Sequence, residues 1–557
     1  MHFSKKPNYT TVIPMLMLGA ALIIFNACRE EEEHDRQTVY LNYSAGTVES
    51  IDPAFAKNLY NMWTDHMIYN TLVETNKDLK LVPSLAKRWE VSEDGRIYRF
   101  YLRNDVYFHD NEVFPGGKGR KMTATDVVFS FNRIIDPQVA SSGSWIFNDR
   151  VAATQPFIAL DDTTVEIRLA QPFRPLPEIL SMPYCSVVPR EAVERWGKDF
   201  SRHPVGTGPF RFHYWDQGNV LIVKRNERYW EKDATGARLP YPEAVQISFV
   251  DSKATEFFLF LQGKLDFVNS IDGSFKDLVL TKNGSLKPEY AEKIRLEKNV
   301  YLNTEYIGFL VDTSSAVLDN APTRNKLVRQ AINFAIDRRK IVRYFKNGIG
   351  IPATKGFIPR GMAGFDSAAT FGYDYDPARA LRLLREAGHP NGRGLPPLTI
   401  LSPDNWADVV NYIATQLQDI GIRTNVEIMQ ANILRQQMSK SEAVAFRAQW
   451  IADYPDAETF LAFFNSRFPA PPNYTRFSNQ TFDRFYDESM NAPDSVRWRL
   501  YRQMDSIVMS EAPVIPLFYD EMMHFTQRSL SGFSANPMNL IDLKYVRKGP
   551  QYATGTP

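Results

Sequence analysis

The sequence predicts an α/β protein that carries an additional α+β segment. Three observations lead to this prediction. Stretches of alternating apolar and polar residues indicate strands, and stretches with apolar residues three and four apart indicate helices. These two kinds of stretch follow each other along most of the chain. The chain has 557 residues, and at about 150 residues per domain this length corresponds to about three to four domains.

The first 27 residues are typical of a secretory signal peptide. Two lysines precede an apolar run from Val12 to Phe25, which is shorter than the roughly 20 residues that a transmembrane helix needs. The run ends in Phe25-Asn26-Ala27-Cys28, which resembles a bacterial lipobox, where cleavage precedes the cysteine and Cys28 is lipidated. Residues 28–37 are then an acidic tether. A plain signal peptide with a coincidental cysteine is the alternative.

Residues 76–200 have the pattern of a mixed α+β domain. Ile97 to Leu102 alternate loosely after a Glu-Asp-Gly turn, as the second arm of a hairpin does. Thr123, with Asp126 three residues later, predicts the start of a helix whose apolar stripe ends before Asp136-Pro137. A further strand is predicted over 162–169.

Residues 306–515 have the pattern of an α/β domain. One long helix is predicted to begin at 320–323 and to end at Gly348. A short helix lies between Asp376-Pro377 and Gly388, and a third amphipathic stripe runs from Trp406 to Ile420. Strands are predicted at 398–401 and 424–428.

Composition and motifs argue against several function classes. The net charge of +1 is not that of a nucleic-acid binder. None of the common hydrolase, zinc-protease or Cys-x-x-Cys motifs occurs, and the eight histidines are scattered, so we expect no catalysis, metal or cofactor. Two cysteines cannot form a disulfide framework. If Cys28 is lipidated, Cys185 has no intrachain partner, and we expect it to be a buried free thiol.

Several segments in a fixed order carry a family resemblance. They are LAKRWEVSEDG at 85–95, FHD at 108–110, TDVVFSF at 125–131, VGTGPF at 205–210, NERYW at 226–230, VRQAINFAIDR at 328–338 and AGHPNG at 387–392. Together they resemble the extracellular solute-binding proteins of family 5, the oligopeptide- and dipeptide-binding components of ABC importers. The resemblance runs from about residue 38 to about residue 530.

The resemblance implies a two-lobed periplasmic-binding-protein fold of type II with an extra domain. Lobe I would be discontinuous and lobe II continuous, with ligand held between lobes that close on a hinge. The implied division assigns residues 38–75, 200–305 and 516–557 to lobe I, 76–199 to the extra α+β domain and 306–515 to lobe II.

The ligand site implied by the resemblance lies in FRAQWIADYPD at 446–456. Asp453 matches the aspartate that holds a peptide's α-ammonium, since a desolvated cation needs a fixed counter-charge. Trp450 matches a ring that lines the peptide channel, and Arg447 matches a basic residue that meets a peptide carboxylate. Gln449 stands where some peptide binders have glycine, and a bulkier residue there would shrink or re-aim the channel and change the ligand length it accepts. For each residue the alternative is a structural role, namely a turn cap, core packing or a salt bridge.

The resemblance also implies a ligand-facing loop in lobe I. This loop is the segment Tyr60-Asn61-Met62-Trp63, which precedes an apolar stretch. The alternative is that these side chains fill the core.

The predicted function is that of a monomeric, lipid-anchored receptor on the periplasmic side of the cell envelope. It would capture short peptides, hand them to an inner-membrane ABC permease, and have no enzymatic activity. The alternatives are a receptor of the same fold for a metal chelate, sugar or haem and, with less support from the motifs, a surface hydrolase or adhesin.

Overall fold

The structure is a computed structural model that describes residues 37–44, 48–271 and 275–549. The predicted signal peptide, the lipidation site Cys28 and the tether up to residue 36 therefore lie outside the described residues.

The strands in chain order are β1 (Thr38–Tyr43), β2 (Val73–Thr75), β3 (Leu81–Pro83), β4 (Ala86–Val91), β5 (Ile97–Leu102), β6 (Phe157–Asp161), β7 (Thr164–Arg168), β8 (Phe210–Asp216), β9 (Val220–Arg225), β10 (Ala244–Phe249), β11 (Phe267–Asn269), β12 (Ile294–Phe309), β13 (Ile351–Pro352), β14 (Leu398–Pro403), β15 (Thr424–Met429), β16 (Ala445–Ile451), β17 (Val514–Gln527), β18 (Leu530–Ser531), β19 (Ser534–Ala535), β20 (Ile541–Asp542) and β21 (Arg547–Lys548).

The α-helices in chain order are α1 (Leu59–Ile68), α2 (Ala124–Ile135), α3 (Leu176–Ile179), α4 (Arg190–Trp196), α5 (Lys253–Leu261), α6 (Lys276–Val279), α7 (Pro288–Ala291), α8 (Lys326–Ala335), α9 (Arg338–Phe345), α10 (Pro377–Glu386), α11 (Ala407–Asp419), α12 (Ala431–Ser439), α13 (Glu458–Leu461), α14 (Gln480–Ser489) and α15 (Asp494–Glu511). Short 3-10 turns lie at Pro53–Phe55, Pro115–Gly117, Ser144–Ile146, Pro183–Cys185, Gly197–Arg202, Ala316–Leu318, Pro322–Arg324, Pro390–Gly392, Asp404–Trp406 and Ala462–Phe464.

Sheet A has the strand order β1-β10-β9-β8. β1 runs parallel to β10, with Thr38 opposite Ala244, and the other pairs are antiparallel. The sheet thus joins the start of the described chain to strands about 200 residues later in sequence. This long-range pairing is what a discontinuous lobe requires, although the predicted domain boundaries themselves stay a prediction.

Sheet C is antiparallel, with the order β4-β5-β7-β6. The hairpin β4–β5 and the strand β7 confirm the predicted hairpin character of residues 76–200. α2 packs on this sheet through Phe131, whose ring centroid lies 5.3 Å from that of Phe147 and 5.4 Å from that of Phe157. Cys185 lies in the same domain, free and buried as predicted, and burial raises the pKa of its thiol.

Sheet B has seven strands, with the order β11-β17-β12-β16-β14-β15 and β13 pairing with β17. β12 and β17 are long antiparallel strands that pair over Ile294–Val300 and again over Thr304–Gly308, with one register shift between the two stretches and a second between Glu305 and Tyr306. β14 and β15 are a parallel pair, as the α/β prediction for 306–515 requires. The predicted boundaries at 305/306 and 515/516 fall inside β12 and β17.

The prediction of one long helix from 320 to Gly348 is wrong, because the structure has α8 and α9 with a break at Ile336 and Asp337. Asp337 caps α9 by accepting from the backbone N–H of Lys340 at 3.0 Å. The buried Arg338 guanidinium donates to the carbonyls of Asn333 and Ile336, so it satisfies groups that a continuous helix would satisfy itself. Both helices face one core, which explains why the apolar period continued through the break.

The cap predicted at Thr123 generates a test of stability. The Asp126 carboxylate accepts from the Thr123 backbone N–H at 2.9 Å and from both terminal nitrogens of Arg120 at 2.8 and 2.7 Å. We expect Asp126→Ala to lower the free energy of unfolding by about 2–4 kcal/mol, because the cap and an ion pair with a buried carboxylate are lost together. Urea unfolding followed by circular dichroism measures this. The exposed Asp162→Ala is the matched control, and equal midpoints for the two variants would contradict the expectation.

Candidate functional site

One edge of β16 is open along most of its length. β12 pairs with β16 from Ala445 to Ile451, whereas β14 on the other side pairs only with Ala445 and Phe446. Within the described residues no strand pairs with this side from Arg447 to Ile451. We call this segment the open edge. Free backbone N–H and C=O groups on such an edge can pair with an extended backbone.

Asp453 follows the end of the open edge by two residues, and its carboxylate is the first polar group of interest there. Its only described side-chain hydrogen bond is a long one, at 3.4 Å, from the Thr459 hydroxyl. Within the described residues no Lys, Arg or His nitrogen forms a salt bridge with it. Burial, followed by the nearby charge of Glu458, raises the pKa of Asp453 to about 6, while Thr459 and Arg150 act in the opposite direction. Asp453 is thus a desolvated acid without a close cation.

The neighbouring acids differ from Asp453 because each has strong donors. Asp456 accepts from Tyr501 Oη at 2.8 Å and forms a salt bridge with Arg497 at 3.0 Å. Glu458 accepts hydrogen bonds from the hydroxyls of Tyr454 and Tyr486. These two carboxylates are therefore structural, which leaves Asp453 as the acid best suited to an external cation.

Residues from the segment that contains sheet C lie near Asp453, on the side away from sheet B. The Trp145 ring stacks on that of Tyr454, with centroids 6.5 Å apart and planes at 25°. Arg150, whose guanidinium is held by the Trp145 carbonyl at 2.7 Å, brings a positive charge near Asp453. Burial and the charge of Asp453 raise the pKa of Tyr184. Asp453, which is half-buried, therefore lies where the two sides of the molecule meet.

Trp450 lies next to Asp453. Its indole N–H points to Thr459 Oγ1 at 3.4 Å, the same hydroxyl that contacts the carboxylate. Its ring meets the Phe463 ring edge-on at 4.2 Å, so the indole also belongs to the core on this face of sheet B. Trp450 thus links the core to this acid.

Arg447 and Gln449 lie on the other face of β16, since side chains alternate along a strand. The buried Arg447 guanidinium donates to the carboxylate of Glu305 and lies 3.4 Å from the centroid of the Trp406 ring. Gln449 is exposed. The structure therefore brings Trp450 and Asp453 together, and places Arg447 and Gln449 across the open edge from them.

The segment Tyr60–Trp63 is not a loop, which corrects the prediction. Asn58 accepts from the backbone N–H of Asn61 at 3.0 Å and starts α1 there, so all four residues are helical. Asn61 donates to the Ser50 carbonyl, and the buried Trp63 donates to the Asn539 carbonyl at 2.6 Å. Tyr60 and Met62 are half-buried. Ligand contact by these four residues stays a prediction.

Sequence reasoning missed three residues of the site. Arg150 and Tyr184 come from distant loops and carry no local signal. Glu305 carried a local signal in the sequence, because a lone acid inside the strand-like stretch 303–309 is unusual unless it is paired.

Neither metal ligation nor membrane spanning has support in the described part of the chain. There, no three His, Cys, Asp or Glu side chains are grouped so that they could hold a metal ion. No helix in that part has the length and apolar character to cross a bilayer.

Comparisons with known proteins give one consistent result. The profile of the bacterial extracellular solute-binding proteins, family 5 Middle, matches residues 80–471. Over 535 residues the chain is 27% identical to the glutathione-binding protein GsiB of Escherichia coli O1:K1 / APEC, covering 94% of this chain and 96% of that protein. It is 28% identical over 534 residues to heme-binding protein A of Haemophilus influenzae, covering 90% and 93% respectively.

The fold is also similar to solved structures. The periplasmic binding protein DppA from Helicobacter pylori, in complex with the peptide STSA, superposes with a TM-score of 0.73 at 23% identity. The match covers 93% of this chain and 100% of that one. This likeness establishes the two-lobed periplasmic-binding-protein architecture of type II for this chain.

The contact between Trp145 and Tyr454 holds the two sides of the molecule together, so removing it should let them separate. An aromatic pair contributes about 0.5–1.5 kcal/mol beyond its buried area, and about 1.4 kcal/mol is a tenfold change in an equilibrium. We expect Trp145→Ala to shift the protein toward a form in which the two sides separate, with a larger radius of gyration in small-angle X-ray scattering. Trp498→Ala, at an exposed ring on α15, is the control. Scattering by Trp145→Ala identical to that of the parent would contradict the prediction.

Proposed function

The chain belongs to the bacterial extracellular solute-binding proteins of family 5, and on that premise we propose that it binds short peptides between its two lobes and delivers them to an ABC permease. Receptors of this family bind solutes rather than transform them. The observation that carries the peptide proposal is Asp453, a half-buried carboxylate without a close cation, next to an open strand edge.

A peptide in extended form has the groups that this arrangement needs. Its α-ammonium would bind to Asp453, and its backbone would pair with the open edge, as in strand addition. Its carboxylate would lie toward Arg447. Recognition would thus rest on the termini and the backbone, which all peptides share, so varied side chains would be tolerated.

The length of the edge limits the ligand. Arg447 and Asp453 are six residues apart, which is about 20 Å at the rise of an extended strand. A peptide of at most about six residues spans that length. Di- to pentapeptides therefore fit the proposal. Glutathione, a tripeptide, is included because a relative is named for binding it.

The receptor would be held at the membrane by Cys28. The lipobox-like segment supports lipidation, and several acyl chains on one residue anchor stably where one does not. Metabolic labelling with a fatty acid, compared with Cys28→Ser, tests this. We propose that the receptor works as a monomer on the periplasmic side of the cell envelope.

A ligand panel tests the peptide proposal directly. Thermal unfolding is measured with di- to pentapeptides, with glutathione, and with haem, because one relative is named for binding haem. A ligand that binds only the native state raises the unfolding temperature. At a ligand concentration of a hundred times Kd, the added free energy of unfolding is about 2.7 kcal/mol. We expect stabilisation by peptides. Stabilisation by haem alone, or by none of the peptides, would overturn the proposal.

The variant Asp453→Asn tests the role of the carboxylate. A charge-assisted hydrogen bond contributes about 1.5–3 kcal/mol, so we expect peptide affinity to fall by about tenfold to hundredfold in calorimetry. Folding stability should change little, because no described cation loses its partner. The exposed Asp408→Asn on α11 is the matched control.

The same carboxylate predicts a pH dependence. The pKa of Asp453 is raised to about 6, and only the ionised form attracts an ammonium group. For a peptide whose carboxyl terminus is amidated, affinity should therefore be full well above pH 6 and should fall as the pH drops through 6, by up to about tenfold per pH unit. Affinity that is unchanged between pH 7 and pH 5 would count against this role.

A further inference from the structure

Arg447 already has a carboxylate partner in the structure. Its Nη2 donates to Glu305, and the two side chains are only 7% and 3% exposed. Asn303 Nδ2 donates to the other oxygen of Glu305 at 2.9 Å. The guanidinium lies over the Trp406 ring, and its Nε–H has no acceptor among the described residues. Arg447 is thus fixed in place, with its Nε–H donor still unused.

Arg447 is the first residue of the open edge, and Glu305 reaches it from β12, on the paired side of β16. Glu305 on β12 is directly opposite Gln449 on β16, and Arg447 is two residues earlier on the same face. Gln449 is exposed, so this face is accessible to solvent beside the pair. A ligand backbone on the open edge would pass Gln449 and bring its carboxyl terminus to Arg447.

A second carboxylate at Arg447 would meet the charge of Glu305. Two carboxylates that share one buried guanidinium repel each other, and one of them is then driven toward its neutral form. Burial also makes an unpaired acid costly, so Glu305 cannot simply turn away while it stays charged.

We propose that Glu305 is a specificity-determining residue that competes with the ligand's carboxyl terminus for Arg447, so that a free terminus binds there only when Glu305 is protonated. This proposal rests on the peptide-receptor function proposed above. It means that the site discriminates between free and blocked carboxyl termini, and that the discrimination is set by a residue of the protein rather than by Arg447 alone.

The groups around Glu305 place this protonation near neutral pH. Burial is the largest influence on Glu305, and its pKa is raised to about 7. The neighbours Arg447, Asn303 and Lys346 act to lower this pKa, and Asp520 acts to raise it. Asp520 on β17 forms a salt bridge with Lys346, after α9, at 3.6 Å. The other titratable neighbours are Tyr301 and Tyr306 on β12, whose pKa values are themselves raised by burial. Below pH 7 Glu305 takes up a proton and releases Arg447 for the ligand.

The test compares trialanine with trialanine amide, which has no carboxylate. Calorimetry on the full chain gives the ratio of their affinities at pH 6 and pH 8. Both peptides carry the α-ammonium, so any effect of Asp453 cancels in the ratio. For the parent protein we expect the preference for the free acid to be up to about tenfold greater at pH 6 than at pH 8. In Glu305→Gln the preference should be high at both pH values.

Two further measurements keep the outcome clear. Arg447→Met should abolish the preference at every pH, because the group for which the two carboxylates compete is absent. The pH dependence of the parent protein needs no variant, so it stands even if Glu305→Gln folds poorly. A role for Glu305 in stability alone would lower the affinity for both peptides equally.

The outcomes separate this inference from the proposed function. If both peptides bind and their ratio is independent of pH and of Glu305→Gln, the inference is overturned and the receptor function stands. A preference for the free acid that falls in Glu305→Gln would also overturn it. If neither peptide binds the parent protein, the proposed function fails and the inference fails with it.

Discussion

β12 and β17 pair with each other along two stretches, and each part of the candidate site is attached to that pair. β17 carries β11 and β13 on its far side, and β12 carries β16 on its own. Because β14 joins β16 only at its first two residues, the rest of β16 has a free edge, and the chain turns from that edge into Asp453. The pairing of two long strands thus decides both where a backbone can bind and where the nearby acid lies.

The two acids at this edge lie in contrasting surroundings. Asp453 has lost water without gaining a close cation, whereas Glu305 has lost water and holds Arg447. Burial raises the pKa of both, to about 6 and about 7. The first acid lacks a positive group and the second already has one. A ligand with an ammonium group at one end and a carboxylate at the other would place its ammonium at Asp453 and its carboxylate at Arg447.

Elements with strong local signals were predictable from the sequence. The β4–β5 hairpin, the capped helix α2, the helix α10 and the parallel pair β14–β15 lie where alternation, caps and helix periods predicted them. The division of the long helix into α8 and α9 was not predictable. Asp337 and Arg338 look like ordinary helix residues, and only the carbonyls that Arg338 reaches, one of them at Pro516 on β17, show why the helix stops there. The prediction of a loop at Tyr60–Trp63 was wrong for a related reason. The residue that caps the helix there, Asn58, lies before the four-residue segment.

The sequence by itself determined the family, the α/β class and the segment that contains Asp453, Trp450 and Arg447, because these depend on patterns within short stretches of chain. The tertiary structure alone decided how those residues are used. It separated Arg447 from Trp450 across a strand, paired Arg447 with Glu305 from 142 positions earlier, and placed Asp453 near Trp145 and Arg150. Burial and charge at a site depend on what other segments bring to it, and no local pattern records which distant segment that is.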